Sequence, residues 1–498
     1  MPPPKSQPLP ELFVPDDPKW ASRAARRGEI RRLARGLYTS NLDEAPEQLI
    51  RRRWYDVAAL YFPGAVIVDR SAFLAGPADD GSLFLDSGPH SARPRAVGLP
   101  GLTLRPRSGP GPVDGDMPFV DLHMSSRPRM YLDNMRPSRS RASVPRTLRQ
   151  SELEDRLDQL ARTKGTDELN ALRDEARALA PALDAHDRFA ALDDLLGSLQ
   201  GTRDTELATP AGRARRAGLA YDADRLALFE LLRSELAQQE FADRRSPADP
   251  ERLFAFFEAY FSNWIEGTEF EVEEAERIVF DRRIPADRPA DAHDVQGTFD
   301  VISDPTLRAR VPADPDDFEN LAKLIHERIM SGRPELHPGS YKQAPNRAGN
   351  TTFVAPDLVR GTLREGFALH QTLPAGMARA IYVMFLLSEV HPFADGNGRV
   401  SRVFLNAELT AAGQCRVMIP LSYRDEYLAA LRALTRGSNP RPIWRMVDRA
   451  QRWAAAMTWK PHDRVLDLME QTNALLDPHD REHSDVHLLD PVGDGRRS

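Results

Sequence analysis

The chain has one cysteine, Cys415, in 498 residues. That excludes an intramolecular disulfide and leaves no cysteine cluster to hold zinc. Its opening, Met1-Pro2-Pro3-Pro4-Lys5-Ser6-Gln7-Pro8, lacks the apolar core of a secretory signal. No apolar run approaches the roughly 20 residues that cross a bilayer, and no internal repeat is visible. What is present is 41% hydrophobic and 28% charged, enough to bury a sizeable core in two or three domains. The expectation is a cytoplasmic protein with no membrane partner.

Charge is placed unevenly. Residues 1–150 carry 23 Lys and Arg against 16 Asp and Glu, a balance of +7, and the remainder is at −14. A basic front on an acidic body points to an anionic partner for the front.

The densest chemistry lies in His391-Pro392-Phe393-Ala394-Asp395-Gly396-Asn397-Gly398-Arg399-Val400-Ser401-Arg402. Met377 to Val390, before it, is apolar at helical spacing and predicts a buried helix. Pro392 disfavours helical geometry in the preceding residue, so that helix is expected to stop near His391. Arg399 to Ala412 predicts a second helix, with Gly413 as its stop. Between them, Gly396 and Gly398 permit backbone angles that turn successive N–H groups into one concavity at a helix start, a nest for phosphate. His391 is able to take a proton near neutral pH. Asp395 offers the hard oxygen that Mg²⁺ prefers. Arg399 and Arg402, three apart, share a helix face and can fork onto phosphate oxygens.

This string resembles the HPFx(D/E)GNGRxxR signature of Fic-domain proteins at every fixed position. The resemblance implies transfer of AMP from Mg·ATP to a Ser, Thr or Tyr hydroxyl of a protein target. It makes His391 the base, Asp395 the metal ligand, and Gly396, Asn397, Gly398, Arg399 and Arg402 the nucleotide-binding set. Within that set it assigns Asn397 to the α-phosphate, Arg399 to the β-phosphate region and Arg402 to the γ-phosphate. Tyr427 lies where relatives place an aromatic in the adenine pocket, or is a core tyrosine.

Ser262-Asn263-Trp264-Ile265-Glu266-Gly267 matches the (S/T)xxxE(G/N) inhibitory motif of the same family. Ser262 and Glu266, four apart, are expected on one helix face, behind an aromatic run that packs into the core. By the resemblance Glu266 pairs with Arg402 and denies it to the γ-phosphate. Leu324-Ile325-His326 and Leu336 to Lys342 look like the family's helix and loop before a flap. The flap is expected at Asn350 to Pro356, with Thr351, Thr352 and Phe353 registering the target by strand addition.

Elsewhere the signals are looser. Asp17 to Ile30 predicts a helix, and Gly28 to Tyr38 looks like the β-wing of a winged helix. With Arg51-Arg52-Arg53-Trp54 and Tyr61 to Ala72, this front resembles AbiEi-type antitoxins. Its arginines would either bind DNA with salt dependence or decorate a protein-contact surface. Ser82 to Leu85 and Pro118 to Leu122 read as short strands in a Gly- and Pro-rich stretch, with a linker at Ser138 to Ser143. Leu153, Leu157, Leu160, Leu169 and Leu172 begin a helical region. An amphipathic stretch at Val465 to Leu476 precedes a polar end expected to be disordered.

The expected fold is mainly α: a Fic-type helical core with a β-hairpin flap, after a winged-helix-like region and a small β-rich region. The segments are 1–75 (winged-helix-like), 76–145 (β and linker), 146–246 (helical), 247–455 (catalytic, with the inhibitory helix) and 456–498 (helix and tail). The expected activity is autoinhibited adenylyl transfer. Removal of AMP, transfer of another phosphate-containing group, and nucleotide sensing by a DNA-binding regulator stay open, as does a homo-oligomer.

Overall fold

The computed structural model describes residues 9–89, 95–138, 144–245, 251–477 and 486–491. The expected linker at 138–143 and the polar end lie largely outside these. The chain divides into two compact units, residues 1–217 and 218–498. No described helix is long and apolar enough to cross a membrane.

The first unit opens on a three-stranded antiparallel sheet in the order Leu12–Phe13, Leu37–Thr39, Arg31–Ala34, with the helix Pro18–Arg26 between its first two sequence strands. The helix is shorter than expected from Asp17 to Ile30, because Gly28 turns the chain (φ 76°) into the next strand. A six-stranded mixed sheet follows, ordered Val97–Leu99, Leu102–Arg107, Ser82–Asp86, Val66–Ile67, Leu122–Met124, Met117–Phe119. Leu102 and Leu104 alternate inward, as one buried face requires. The helix Arg127–Asn134 had no clear periodic signal, since buried Arg129, Asp133 and Asn134 break its apolar stripe. Arg129 is instead held by Asp86 at 2.7 Å, Asp133 at 3.3 Å and Asp116, a buried charge satisfied on several sides. Four more helices run from Gln150 to Arg216, and Leu153, Leu157, Leu169 and Leu172 are buried as their spacing predicts.

The second unit is helical apart from one described hairpin, Arg347–Ala348 with Thr351–Thr352. It begins earlier than the 246/247 boundary read from the sequence: Ala223–Leu236 packs Phe229 against Tyr382 and Phe385. It also runs past 455, because Trp459, Val465, Leu468 and Met469 bury into the same core. The terminal helix spans His462–Gln471. At the centre lies Met377–Val390, buried at all but two of its 14 residues, and the helix Asn397–Ala411 packs beside it.

Candidate functional site

The Met377–Val390 helix ends where Pro392 forbids its continuation. His391 caps it in the left-handed region (φ 53°, ψ 59°), its N–H still donating to the Leu387 carbonyl at 3.0 Å. The loop to the next helix is then fixed from four sides. Phe393 is fully buried and stacks on His326 with ring centres 3.8 Å apart. Asn397 accepts from the Phe393 N–H at 2.8 Å and donates back to its carbonyl at 3.0 Å. Asn346 donates to the same carbonyl at 3.0 Å, and the Lys342 N–H to the Pro392 carbonyl at 2.9 Å. Gly396 turns at φ 73°, where a Cβ would stand 2.8 Å from the Met330 sulfur.

His326 has a defined tautomer. The Gly339 N–H donates to its Nδ1 at 2.9 Å, so Nε2 carries the proton and donates to the Asp395 carbonyl at 3.1 Å. Burial pulls its pKa down to about 4, which keeps the ring neutral. The contacts of His326 are those of a loop support.

His391 is half-buried, covered on one face by Phe353 at 3.8 Å and nearly parallel. Its Nδ1 lies 3.2 Å from the Ser388 carbonyl, an acceptor, so Nδ1 holds the proton and Nε2 keeps a lone pair. Burial, with the Lys342 ammonium adding to it, brings the His391 pKa to about 4. Lys342 is itself buried and pulled down to about 8, its ammonium held by Asn346 at 2.7 Å and the Val390 carbonyl at 3.4 Å.

The Asn397–Ala411 helix starts at Gly396 with no side-chain cap. Its first-turn N–H groups therefore face the loop as an anion-binding end. One anion already lies there: a Cβ on Gly398 would fall 2.0 Å from Oε1 of Glu266. The same Oε1 accepts from Arg402 Nη2 at 2.8 Å. Arg402 is held further by the Ser262 hydroxyl at 2.9 Å and the Ser262 carbonyl at 2.8 Å, and its Nη1 faces the Tyr427 hydroxyl at 3.5 Å. Glu266 follows directly on the helix Glu251–Ile265, its N–H donating to the Asn263 carbonyl at 3.0 Å, and it meets Arg402 together with Ser262; Gly267 then turns the chain at φ 86°.

Two residues of the expected nucleotide-binding set also support the fold. The Asn397 amide is hydrogen-bonded to the Phe393 backbone. Arg399 is buried and paired with Asp294 at 2.7 Å, with Asn263 accepting at 3.2 Å. Asp294, on the helix Pro289–Ser303, also holds Arg333 at 2.9 Å. Nothing local in the sequence marked Asp294 or Asn263 as site residues, because both act across the fold.

A cavity of about 520 Å³ joins these parts. Its lining includes His391, Gly398, Arg402, Glu266, Tyr427, Thr351 and Phe353, with Leu428 and Leu431 as apolar wall. Ser262 reaches it only through Arg402, and Asp395 stands at the loop with its side chain half exposed. Among the described residues no cluster of three or more His, Cys, Asp or Glu could hold a metal alone. A single hard oxygen from Asp395 fits an ion whose other ligands are phosphate and water, as Mg²⁺ commonly is.

Residues 316–409 match the Fic/DOC family. That stretch is similar to a Fic domain. The protein adenylyltransferase fic-1 of Caenorhabditis briggsae is 31% identical over 142 residues, 27% of this chain and 28% of the relative. The protein adenylyltransferase Fic of Culex quinquefasciatus is 30% identical over 143 residues, 26% of this chain and 27% of the relative. The chain thus aligns with under a third of the length of these curated relatives. The solved structure of Fic-1 from C. elegans aligns with a TM-score of 0.35 at 20% identity, covering 61% of this chain and 95% of that one. The Fic domain contains His391 to Arg402, whereas Ser262, Glu266 and Tyr427 lie outside the matched residues.

Proposed function

We propose that this protein is an autoinhibited protein adenylyltransferase, moving AMP from Mg·ATP to a hydroxyl side chain of a protein target. The observation that carries the reading is Glu266 Oε1 lying over Gly398 and 2.8 Å from Arg402, beside a His391 whose Nε2 is free of its proton. The carboxylate stands where a phosphate would use the helix N-terminus and the arginine together.

In the active form Glu266 swings away and the triphosphate enters. His391 Nε2 takes the proton of the target hydroxyl, and that oxygen attacks the α-phosphorus. The bond from the α-phosphorus to the bridging oxygen breaks, and pyrophosphate leaves with the electron pair. First-turn N–H groups and Arg402 oppose the charge that develops. Asp395 would hold Mg²⁺, which lowers the repulsion among phosphate oxygens when bound. Tyr427, Leu428 and Leu431 offer the apolar wall for the base. Thr351, Thr352 and Phe353 form the flap over His391.

The test uses wild type, Glu266→Gly, and Glu266→Gly with His391→Ala, each given Mg²⁺ and α-phosphate-labelled ATP, with intact-mass analysis of the adduct. Label in the first variant that is weak in wild type and lost without His391 supports the reading. Blanks in all three, repeated with cell lysate as target source, would sink it.

For the amino-terminal unit we propose a docking role, with DNA the less favoured ligand. Arg31 is committed to the carbonyls of Glu44 and Leu42, and Arg52 and Arg53 are paired with Glu11, Glu44 and Asp56. Arginines so engaged leave less free charge for phosphate than the composition promised. Salt-dependent DNA binding by the full chain would reverse that preference.

A further inference from the structure

The flap has two outer edges, and the structure treats them differently. The Phe353 N–H donates to the Asn346 carbonyl at 3.2 Å, so those two residues form a hydrogen-bonded pair. Pairs alternate along an antiparallel ladder. The next pair, Arg347 with Thr352, is therefore the open kind, whose N–H and C=O groups point away from the partner strand. On the Thr352 side that outward carbonyl is occupied: Arg225 Nη2 donates to it at 2.6 Å. On the Arg347 side both strand residues, Arg347 and Ala348, are exposed.

Arg225 lies on the helix Ala223–Leu236, outside the residues that match the Fic family. Its other terminal nitrogen, Nη1, pairs with Glu389, buried on the Met377–Val390 helix two residues before His391. Glu389 in turn accepts from the Thr435 hydroxyl at 2.6 Å, on the helix Arg424–Gly437. From that helix Arg436 donates to the Thr351 hydroxyl at 2.8 and 3.1 Å. The flap is tied by backbone at Thr352 and by side chain at Thr351. The residue after this tie is Phe353, whose ring covers His391 at 3.8 Å.

We propose that Arg225 is a positioning residue that latches the Thr352 edge of the flap to Glu389 and sets Phe353 over His391. The latch stands apart from the transferase reading; only its effect on labelling rests on that reading. A planar guanidinium suits the task because one fork reaches a carboxylate and a carbonyl at once. Arg225 touches no reacting atom and acts through the flap alone.

The test separates the two readings. Arg225→Lys keeps a cation for Glu389 but cannot fork, so the fold is preserved while Thr352 is released. Hydrogen–deuterium exchange of the Phe353 amide, which donates to the Asn346 carbonyl within the hairpin, is measured in wild type and in this variant. A charge-assisted hydrogen bond supports an increase in flap exchange of roughly ten- to hundredfold, with exchange in the Met377–Val390 helix unchanged. A second variant, Arg225→Met with Glu389→Gln, removes both charges together and should loosen the flap equally. Flap exchange within twofold of wild type in both variants overturns the latch, whatever the activity assay gives.

In the Glu266→Gly background, Arg225→Lys should then lower the rate of self-labelling at least tenfold while leaving ATP affinity unchanged. Equal loss of ATP affinity would overturn the positioning role. If Glu266→Gly itself takes no label, the transferase reading fails and the exchange experiment still decides the latch.

Discussion

Replacing Glu266 tests how much a single carboxylate restrains the proposed nucleotide site. Arg402 makes three close contacts besides its approach to Tyr427: the Ser262 hydroxyl, the Ser262 carbonyl and Glu266. Removing Glu266 leaves both Ser262 contacts, so the guanidinium stays in place while its charge becomes free for a phosphate. Glu266 is about one-quarter exposed and Arg402 is 7% exposed, so solvent screens the pair only in part. A hydrogen bond between charged groups in such a setting is worth roughly 1.5–3 kcal/mol net. ATP bound in the wild type must displace that contact, so its affinity should rise about ten- to hundredfold in Glu266→Gly. Titration calorimetry with Mg·ATP reads this directly. Glu266→Gln keeps the shape and one acceptor but not the charge, and should fall between the two. A Glu266→Gly affinity within twofold of wild type would refute the argument, since the carboxylate would then not compete with phosphate. A Glu266→Gln protein indistinguishable from Glu266→Gly would mean that charge alone carries the effect.

Three further expectations follow from the same contacts. Gly398→Ala should destabilise the wild type by about 1–3 kcal/mol in urea unfolding, because its Cβ would meet Glu266 Oε1 at 2.0 Å. The cost should fall by half or more in Glu266→Gly, where the remaining close atom is Arg402 Nη1, at 2.9 Å instead of 2.0 Å; equal costs would show that the clash lies elsewhere. His326, at about 4 against 6.5 unfolded, binds its proton less readily when folded. Its stabilising effect is thus complete above pH 6.5 and is lost as pH falls toward 4, at up to about 1.4 kcal/mol per unit. Unfolding in metal-free buffer at pH 7.5 and 5 should show this slope weakened in His326→Gln, and an unchanged slope would discount His326. Lys342→Met removes the ammonium that helps depress His391, so the His391 ring titration followed by NMR should move upward. No movement would place the whole depression in burial.

The stretch from His391 to Arg402 was legible because its parts are close in sequence: helix, proline stop, glycine turn and helix follow one another, and local rules govern each. The pairing of Glu266 with Arg402 was legible only through the family resemblance, since no spacing rule joins residues so far apart. Asp294, Asn263, Lys342 and Arg225 stayed hidden for that reason. Each makes its contact across the packed helices, and an Asp or Arg inside a helix reads as surface charge until its partner is known. The contacts of Asn397 with the Phe393 backbone and of Arg399 with the Asp294 carboxylate were hidden for the same reason. At the front, composition reported the arginines but not the glutamates folded against them.

The placement of Glu266 beyond its helix bears on how quickly the site can change state. The helix closes at Ile265, and the Glu266 N–H is already held by the Asn263 carbonyl at 3.0 Å before Gly267 redirects the chain. Releasing the carboxylate therefore asks for a side-chain rotation, slowed by the contact with Arg402 that it must break, and not for a collective rearrangement of helices. On the transferase reading proposed above, such a restraint should leave wild type a residual labelling rate set by the fraction with Glu266 released. Raising ATP should then pull on that fraction continuously, and labelling should grade with nucleotide supply instead of switching.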